Sequence, residues 1–306
     1  MPMHIKSLTA EKPKTIKKTA LLLGAGYTAR HLVPHLRAQG YSVWGTTRSE
    51  QNREELLELE VNPIISKNWS DKTISSVFES ADLILSSIPP QKSKDTHGFS
   101  DPVISSLRKL KPRASWIGYY SATSVYGDRQ GKWAFEGEPA NPSLKRGVAR
   151  AEAELEWLET EWPVHIFRLA GIYGVGRNPF QKLREGKARA VIKEGHVVNR
   201  IHVEDAVLAT LASIERPNPQ AIYNIADGNP VPPQDVLDYA ANLLGTKSAK
   251  RVGLMDKNVS KMARSFYQET KRIDISKAKA DLGWQPRYSN YKEGLKAIMD
   301  TSKPVT

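Results

Sequence analysis

Short apolar runs alternate with longer helix-like segments along most of the chain. The apolar runs have the length of strands, and turn residues separate them from the segments that follow. The pattern predicts strands at residues 19–23, 42–46, 83–86, 115–118, 164–169 and 222–225, with a weaker one at 63–65. It predicts helices at residues 29–39, 53–59, 74–79, 103–110, 148–160, 203–214, 233–244 and 291–299. Because strands and helices alternate, we expect parallel βαβ units and an α/β fold.

A glycine-rich turn follows the first predicted strand. The chain reads Gly24-Ala25-Gly26-Tyr27-Thr28-Ala29, a Gly-x-Gly-x-x-Ala pattern that leads into a helix. Gly24 permits a tight turn, Gly26 lets the backbone approach a pyrophosphate, and Ala29 lets the helix pack closely on the strand. The helix N-terminus offers free N–H groups to phosphates. We expect a Rossmann-type, doubly wound parallel sheet that binds a nicotinamide dinucleotide through Gly24, Gly26, Tyr27, Thr28 and Ala29; the alternative is a glycine turn without a ligand.

The end of the second predicted strand bears on the choice between NAD and NADP. Proteins that prefer NAD usually place an Asp or Glu there to bind the ribose hydroxyls. This chain has Gly-Thr-Thr-Arg-Ser at residues 45–49, with no carboxylate before Glu50. Arg48 can hold a 2′-phosphate, so the sequence favours NADP; NAD is the second possibility, and an exposed loop arginine is the alternative role for Arg48. Ser87, just after the strand at 83–86, is a further predicted cofactor contact.

The alternation becomes irregular after residue 170, where glycine, proline and basic residues dominate up to residue 200. We expect a basic, flexible arm at residues 1–17, a dinucleotide-binding domain at 18–170 to which 203–226 partly return, and a mostly substrate-binding region at 171–306. The net charge of +12 is concentrated in the arm and in residues 177–200. The second basic stretch predicts a solvated surface or a rim that attracts an anionic substrate. Nucleic-acid binding is disfavoured because no recognised motif accompanies the charge.

Several function classes are excluded or disfavoured by composition. The chain has no cysteine, which excludes disulfides, a thiolate zinc site and a cysteine nucleophile. It has no run of eighteen apolar residues and no apolar run near its start that would suit a secretory signal, so we expect no membrane contact and a cytoplasmic location. His31 and His35 have metal-ligand spacing but no third ligand nearby, and we predict no metal site.

Five later segments resemble the extended short-chain dehydrogenase/reductases, which include nucleotide-sugar epimerases and dehydratases. The segments are Ser-Ala-Thr-Ser-Val-Tyr-Gly-Asp at 121–128, the Arg…Tyr-Gly-Val-Gly segment at 168–179, Arg-Ile-His-Val-Glu-Asp-Ala at 200–206, Tyr-Asn-Ile at 223–225 and Leu-Gly-Trp-Gln-Pro at 282–286. Their order and spacing match the family from about residue 18 to residue 299. The resemblance implies the fold and a homodimer paired through the helices at 103–110 and 148–160. Together with the basic stretch and Arg146, it also implies a small anionic substrate, for which a nucleotide-linked sugar is one alternative.

The usual catalytic residues of the family are substituted in this chain. The family has Ser or Thr four residues before the Tyr of Val-Tyr-Gly and a Tyr-x-x-x-Lys motif on the next helix; the matching positions hold Ala122, Arg146 and Arg150. The pattern therefore resembles an atypical, epimerase/dehydratase-like subgroup. Arginine stays protonated, so Arg146 cannot transfer the proton, although it can bind an anion or polarise a carbonyl. Arg150 can replace the lysine's contact with the nicotinamide ribose.

A proton carrier must then come from elsewhere. Thr123 flanks the lost serine position and completes the predicted catalytic set with Arg146 and Arg150. Other candidates are Ser121, Ser124, Tyr120, Tyr126, Tyr173 and His202. Two hypotheses remain: an NADP-dependent oxidoreductase, epimerase or dehydratase with a non-standard site, or a catalytically silent NADP(H)-binding sensor or scaffold.

Overall fold

The computed structural model describes residues 18–93 and 98–301. The predicted basic arm at residues 1–17 lies outside the described residues. The strands are β1 Lys18–Leu23, β2 Tyr41–Thr47, β3 Asn62–Ile65, β4 Leu83–Ser86, β5 Gln91–Lys92, β6 Phe99–Ser100, β7 Trp116–Ala122, β8 Trp133–Ala134, β9 Val164–Leu169, β10 Gly171–Tyr173, β11 Arg189–Ile192, β12 Arg200–His202, β13 Ile222–Ile225, β14 Lys250–Gly253 and β15 Arg272–Ile273. The helices are α1 Tyr27–Ala38, α2 Gln51–Glu58, α3 Lys72–Ser80, α4 Pro102–Leu107, α5 Lys145–Leu158, α6 Phe180–Arg184, α7 Val203–Glu215, α8 Pro233–Leu244, α9 Lys261–Phe266, α10 Ser276–Leu282 and α11 Tyr291–Thr301.

A seven-stranded sheet forms the centre of the molecule, in the order β13-β9-β7-β4-β1-β2-β3. All of its pairings are parallel, and the chain order reverses between β1 and β4. The strands β1, β4 and β9 are almost entirely buried, which explains the apolar runs at residues 20–23 and 83–85, although β9 also buries His165 and Arg168. The predicted α/β fold with a Rossmann-type parallel sheet is confirmed.

Helices cover both faces of this sheet and bury one apolar cluster on each. One cluster includes Leu22, Leu32 and Tyr223, and the other includes Leu21, Phe78 and Trp157. Neighbouring residues of β1 belong to different clusters because successive side chains of a strand point to opposite faces. In open sheets of this kind, ligands bind at the carboxyl ends of the strands where the strand order reverses.

The C-terminal part builds a smaller apolar cluster beside those strand ends. Tyr173, Phe180 and Leu183 pack there against residues of α8 and α11. Two short parallel pairs, β10 with β12 and β11 with β14, frame the cluster. Strand β13 meanwhile lies at the edge of the large sheet beside β9. No helix within residues 18–93 or 98–301 is long and apolar enough to cross a membrane.

Candidate functional site

The glycine turn after β1 is fixed by the end of β2. Gly24 has a φ of +82°, a backbone conformation that favours glycine, and a Cβ there would lie 2.5 Å from Cδ1 of Ile88. The Gly24 amide donates to Oγ1 of Thr46 at 2.7 Å, and the Ala25 amide donates to the Thr46 carbonyl at 3.0 Å. The turn is therefore held in shape by the protein itself.

The N-terminus of α1 is open where a phosphate would bind. Gly26 is the N-cap residue; no side chain caps the helix, and its first turn holds no acidic residue. A Cβ on Gly26 would meet no atom closer than the Gly24 carbonyl oxygen at 4.0 Å, so the space in front of the turn is free for a ligand. Thr28 and Ala29 are buried, and Ala29 belongs to the apolar core as a small residue packed between helix and sheet. The first-turn amides can thus donate to an anion.

A cavity of about 360 Å³, the outer cavity, extends from the glycine turn toward α2. Its lining includes Arg48, Ser49, Asn52 and Ser66, all of which carry polar side chains. Arg48 is exposed, and no carboxylate of the described residues lies within 4.0 Å of it. The structure therefore places the predicted Arg48 at the far end of the same cavity as Gly24 and Gly26.

A second cavity of about 380 Å³, the central cavity, adjoins the outer one because Gly26 and Ser87 line both. Ser87 donates its Oγ to the Gly24 carbonyl at 2.5 Å and its amide to the Leu23 carbonyl at 2.9 Å. The Ser87 hydroxyl therefore donates its proton to the glycine turn and has only its oxygen left to accept a hydrogen bond from a ligand. Tyr27, Thr28 and Arg150 line this cavity too.

A third cavity of about 320 Å³, the inner cavity, shares Ala122, Leu169, Ala170 and Gly171 with the central one. It also brings together Thr123 and Arg146, the two predicted residues that face the substrate side. The three cavities form one continuous cleft along the carboxyl ends of the strands. Such a cleft has room for an extended dinucleotide in its first two parts and a small ligand in the third.

Both arginines in the usual Tyr and Lys positions bind protein atoms. Arg146 donates to Oγ of Ser265 at 2.7 Å and to the Ser265 carbonyl at 3.1 Å, and its guanidinium lies 4.5 Å from the ring centroid of Phe266. Nη1 of Arg150 donates to the hydroxyl of Tyr119 at 2.9 Å and to the carbonyl of Tyr120 at 2.8 Å. Arg150 thus ties α5 to the end of β7, whereas Arg146 ties it to the C-terminal end of α9.

Two of the alternative proton carriers belong to a buried polar network, which reaches the central cavity at Ser121. Ser121 donates to the carboxylate of Glu154, which receives three further bonds from Arg168 at 2.8–3.2 Å. Tyr126 accepts from Nη1 of Arg168 at 2.9 Å and donates to Oδ1 of Asn224 at 2.8 Å. Burial raises the pKa of the Tyr126 hydroxyl. These groups are occupied structurally and do not face the inner cavity.

Tyr120, Tyr173 and His202 do not reach the inner cavity either. The Tyr120 hydroxyl bonds Oγ1 of Thr210 at 2.8 Å inside the core. His202 caps α7, because its Nδ1 accepts from the Glu204 amide at 3.3 Å, and burial lowers its pKa to about 4. Burial raises the pKa of Tyr173, whose ring packs against that of His202. Ser124 does line the inner cavity beside Thr123.

His196 lines the inner cavity and was missed by sequence reasoning. Its side chain is 2% exposed, and neither ring nitrogen has a hydrogen-bond partner among the described residues. Burial, reinforced by the charges of Lys193 and Arg200, lowers its pKa to about 4, so the imidazole is neutral at pH 7. A buried, unpartnered polar ring is costly unless a ligand or water completes it. His196 is therefore available to bond a group in this cavity.

The basic stretch at residues 177–200 is divided among different surroundings. Arg177 lines the central cavity, while Lys182, Lys187 and Arg189 line a separate cavity of about 440 Å³. Arg200 donates to the Val198 carbonyl at 2.9 Å, and burial lowers its pKa. The stretch does not form one continuous rim.

His31, one of the two histidines at metal-ligand spacing, contacts a glutamate of another helix. Its Nδ1 lies 2.8 Å from Oε1 of Glu204 on α7, and its ring packs edge-on against Tyr27 at a centroid distance of 4.9 Å. The contact joins α1 to α7.

No protein-family model matches the chain. Among curated proteins, Protein YeeZ of Escherichia coli strain K12 is 28% identical over 288 residues, which cover 89% of this chain and 97% of YeeZ. A functionally unknown conserved protein from Silicibacter pomeroyi is 39% identical, with a TM-score of 0.85 over 93% of this chain and 99% of that one. UDP-glucuronic acid 4-epimerase from Bacillus cereus, solved in complex with NAD, is 19% identical with a TM-score of 0.72 over 92% and 97% of the two chains.

The fold and the order of its motifs resemble those of the extended short-chain dehydrogenase/reductases of the epimerase/dehydratase-like kind, and the chain shares their fold. It belongs to the same family as the Silicibacter pomeroyi protein, since the two are 39% identical over nearly their full lengths. The more distant epimerases share the fold alone.

Proposed function

We propose that this chain binds a nicotinamide dinucleotide along the outer and central cavities, with NADP(H) preferred over NAD(H). The observation that carries the proposal is the continuous cleft, in which an uncapped helix N-terminus lies between Arg48 at one end and Arg150 at the other. The Bacillus cereus structure, which shares the fold, was solved with NAD. The lack of an acidic side chain in the outer cavity and the unpaired Arg48 support a 2′-phosphate there.

Isothermal titration with NADPH and NADH tests this proposal directly. We expect Arg48→Gln to weaken NADPH binding about ten- to hundredfold, the usual effect of losing a hydrogen bond to a charged group, and to leave NADH binding unchanged. Arg53→Gln is the matched control because Arg53 lies on α2 and pairs with Glu50 and Glu54. Equal effects of Arg48→Gln on both nucleotides would refute the NADP preference, and the absence of binding by the unaltered protein would refute the proposal as a whole.

We further propose that the protein is an oxidoreductase, epimerase or dehydratase that acts on a small anionic substrate in the inner cavity. When bound, the cofactor supplies hydride chemistry there. Arg146 provides a positive charge, Thr123 and Ser124 provide hydroxyls, and neutral His196 can accept a hydrogen bond or proton. For a substrate to bind Arg146, the guanidinium must give up its bonds to Ser265.

A catalytically silent sensor or scaffold is the second candidate function. It is favoured by Ala122 at the usual serine position and by the protein partners that Arg146 and Arg150 already have. Single-turnover absorbance at the nicotinamide band, with nucleotide sugars and phosphorylated carbonyl compounds, separates the two. Multiple turnovers on any of them would exclude the silent protein, whereas cofactor binding without any spectral change would favour it.

We also propose that two copies pair through α4 and α5. Leu155 on α5 is 61% exposed and offers an apolar side chain that a second copy would cover. Light scattering of the unaltered protein and of Leu155→Arg tests this, because the charge would be buried in the paired state. A monomer in both cases would overturn the proposal.

A further inference from the structure

A short hairpin contributes Arg177 to the lining of the central cavity, and we call its residues 174–178 the strap. Gly174 and Arg177 exchange two backbone hydrogen bonds of 3.0 Å each, and Nδ2 of Asn178 donates to the Gly174 carbonyl at 2.9 Å. The strap follows β10, which pairs with β12 beside the large sheet. Its conformation is therefore fixed from within the hairpin.

The strap is also fastened to the first residue of α1. The Tyr27 hydroxyl donates to the Val175 carbonyl at 2.9 Å. Gly174 permits this approach, because a Cβ there would lie 2.5 Å from the Tyr27 hydroxyl oxygen and 2.6 Å from Cγ1 of Val203. Burial raises the pKa of Tyr27 to about 12, so its hydroxyl keeps the proton that it donates.

This arrangement brings Arg177 close to the N-terminus of α1. Its guanidinium lies 5.7 Å from the ring centroid of Tyr27, and the residue lines the central cavity together with Gly26, Tyr27 and Thr28. It is not among the residues that line the inner cavity. In the part of the chain that the structure describes, no carboxylate lies within 4.0 Å of Arg177. An exposed, unpaired guanidinium thus faces the open end of the helix.

Two other arginines that line the cleft near the turn, Arg30 and Arg150, are already engaged. Arg30 donates to the Ala25 carbonyl at 2.9 Å and pairs with Glu55. Arg150 donates through Nη1 to the carbonyls of Ile88 and Tyr120. The glycine turn itself offers only neutral N–H groups, and a pyrophosphate carries two negative charges. Arg177 supplies this part of the cleft with a positive charge that has no carboxylate partner.

We propose that Arg177 binds the paired phosphates of the dinucleotide and that the Tyr27 hydroxyl is the latch that holds the strap over them. The inference rests on the proposed dinucleotide binding. It assigns Arg177 to the cofactor rather than to the substrate, because the residue lines the central cavity beside the helix N-terminus and not the inner cavity that Arg146 lines. The strap would thereby close the cleft over the bound phosphates and slow their release.

Titration with NADPH and NADH, repeated with Arg177→Gln, tests the role of the guanidinium. We expect the binding of both nucleotides to be weakened equally, about ten- to hundredfold, since both contain the pyrophosphate. This equality separates Arg177 from Arg48, which acts on NADPH alone. The salt dependence of binding should become shallower as well, and Arg177→Lys should recover part of the affinity, because it keeps the charge but loses the bidentate geometry. Arg184→Gln, an exposed arginine at the end of α6, is the control and should change affinity less than twofold.

The latch is tested by the dissociation rate. Tyr27→Phe removes one hydroxyl and keeps the ring, so stopped-flow release of NADPH should accelerate about threefold to tenfold, the effect of losing one neutral hydrogen bond. If the unaltered protein binds NADPH and Arg177→Gln matches Arg184→Gln within twofold, the role of Arg177 is refuted while the proposed function stands. If the unaltered protein binds neither nucleotide, both are refuted. Unchanged release from Tyr27→Phe would refute the latch.

Discussion

The buried ion pair between Glu154 and Arg168 carries a sharp prediction. The two side chains are only 4% and 5% exposed, and α5 holds the carboxylate while β9 holds the guanidinium. Replacing Glu154 by Gln preserves the shape of the side chain and removes its charge. Arg168 would then remain charged inside the protein without a counter-ion, because arginine does not release its proton.

The expected loss in the free energy of unfolding is about 3–5 kcal/mol, the usual cost of breaking a buried pair by removing one partner. That is a large share of the roughly 5–15 kcal/mol available to a folded domain. The loss should exceed that of the double variant Glu154→Met with Arg168→Met, in which no buried charge is left. Ser121 keeps an amide oxygen as its acceptor in Glu154→Gln and loses its acceptor only in the double variant, so this bond cannot account for a larger loss in Glu154→Gln.

Urea unfolding followed by tryptophan fluorescence measures the effect, since Trp157 lies buried one turn further along α5. Glu54→Gln is the matched control because Glu54 is 69% exposed and its pair with Arg53 should contribute less than about 1 kcal/mol. A loss below about 1 kcal/mol for Glu154→Gln, with an unchanged dependence on urea, would show that the pair is not energetically isolated from water. It would refute the reasoning.

Three further predictions concern the strap, a buried carboxyl and the C-terminal end of α9. Gly174→Ala should lower stability by about 1–3 kcal/mol because its Cβ would overlap Val203, and thermal unfolding measures this loss; an unaltered Tm would contradict it. Burial raises the pKa of the Asp227 carboxyl in the folded state to about 7, above its ordinary value. Between these two pH values the folded state keeps a proton that the unfolded state has released, so stability should fall as the pH rises toward 7. Relative to Asp227→Asn, the unaltered protein should therefore lose about 2–3 kcal/mol between pH 5 and pH 8 in urea unfolding, and parallel curves for the two proteins would exclude this linkage. Arg146→Gln should speed amide exchange at residues 264–267 about tenfold, as expected when hydrogen bonds of a charged group are lost, and leave the central sheet unaffected; equal exchange in both regions would contradict it.

The fold was predictable because burial on both faces makes parallel strands read as apolar runs. Strand β7 shows the limit of that rule. The sequence predicts it at residues 115–118, but it continues to Ala122 through two tyrosines and a serine. Those side chains are tolerated inside because they find partners far away in the sequence, as the Tyr120 hydroxyl does with Thr210. Partners at such a separation leave no local pattern.

The candidate site was predictable where a motif fixes the backbone, and less so where the cleft depends on distant segments. The glycine turn is a local structure, and its residues lie together in the cleft. His196 lies in a turn with no motif around it, and the residue whose ring packs closest, Tyr267, is 71 positions further along. Arg146 likewise contacts Ser265 and Phe266, and no pattern in the sequence connects these residues to α5. Only the folded chain joins these residues.

The hydrogen bonds from Gly24 and Ala25 to Thr46 have an evolutionary consequence. They anchor the glycine turn to the last buried residue of β2, so that the shape of the turn does not depend on the surface loop that comes next. Residues 47–52 can therefore be exchanged between relatives without reshaping the turn. Under the proposed function, a lineage could switch between the two pyridine nucleotides by altering this loop alone, at little cost to the rest of the molecule.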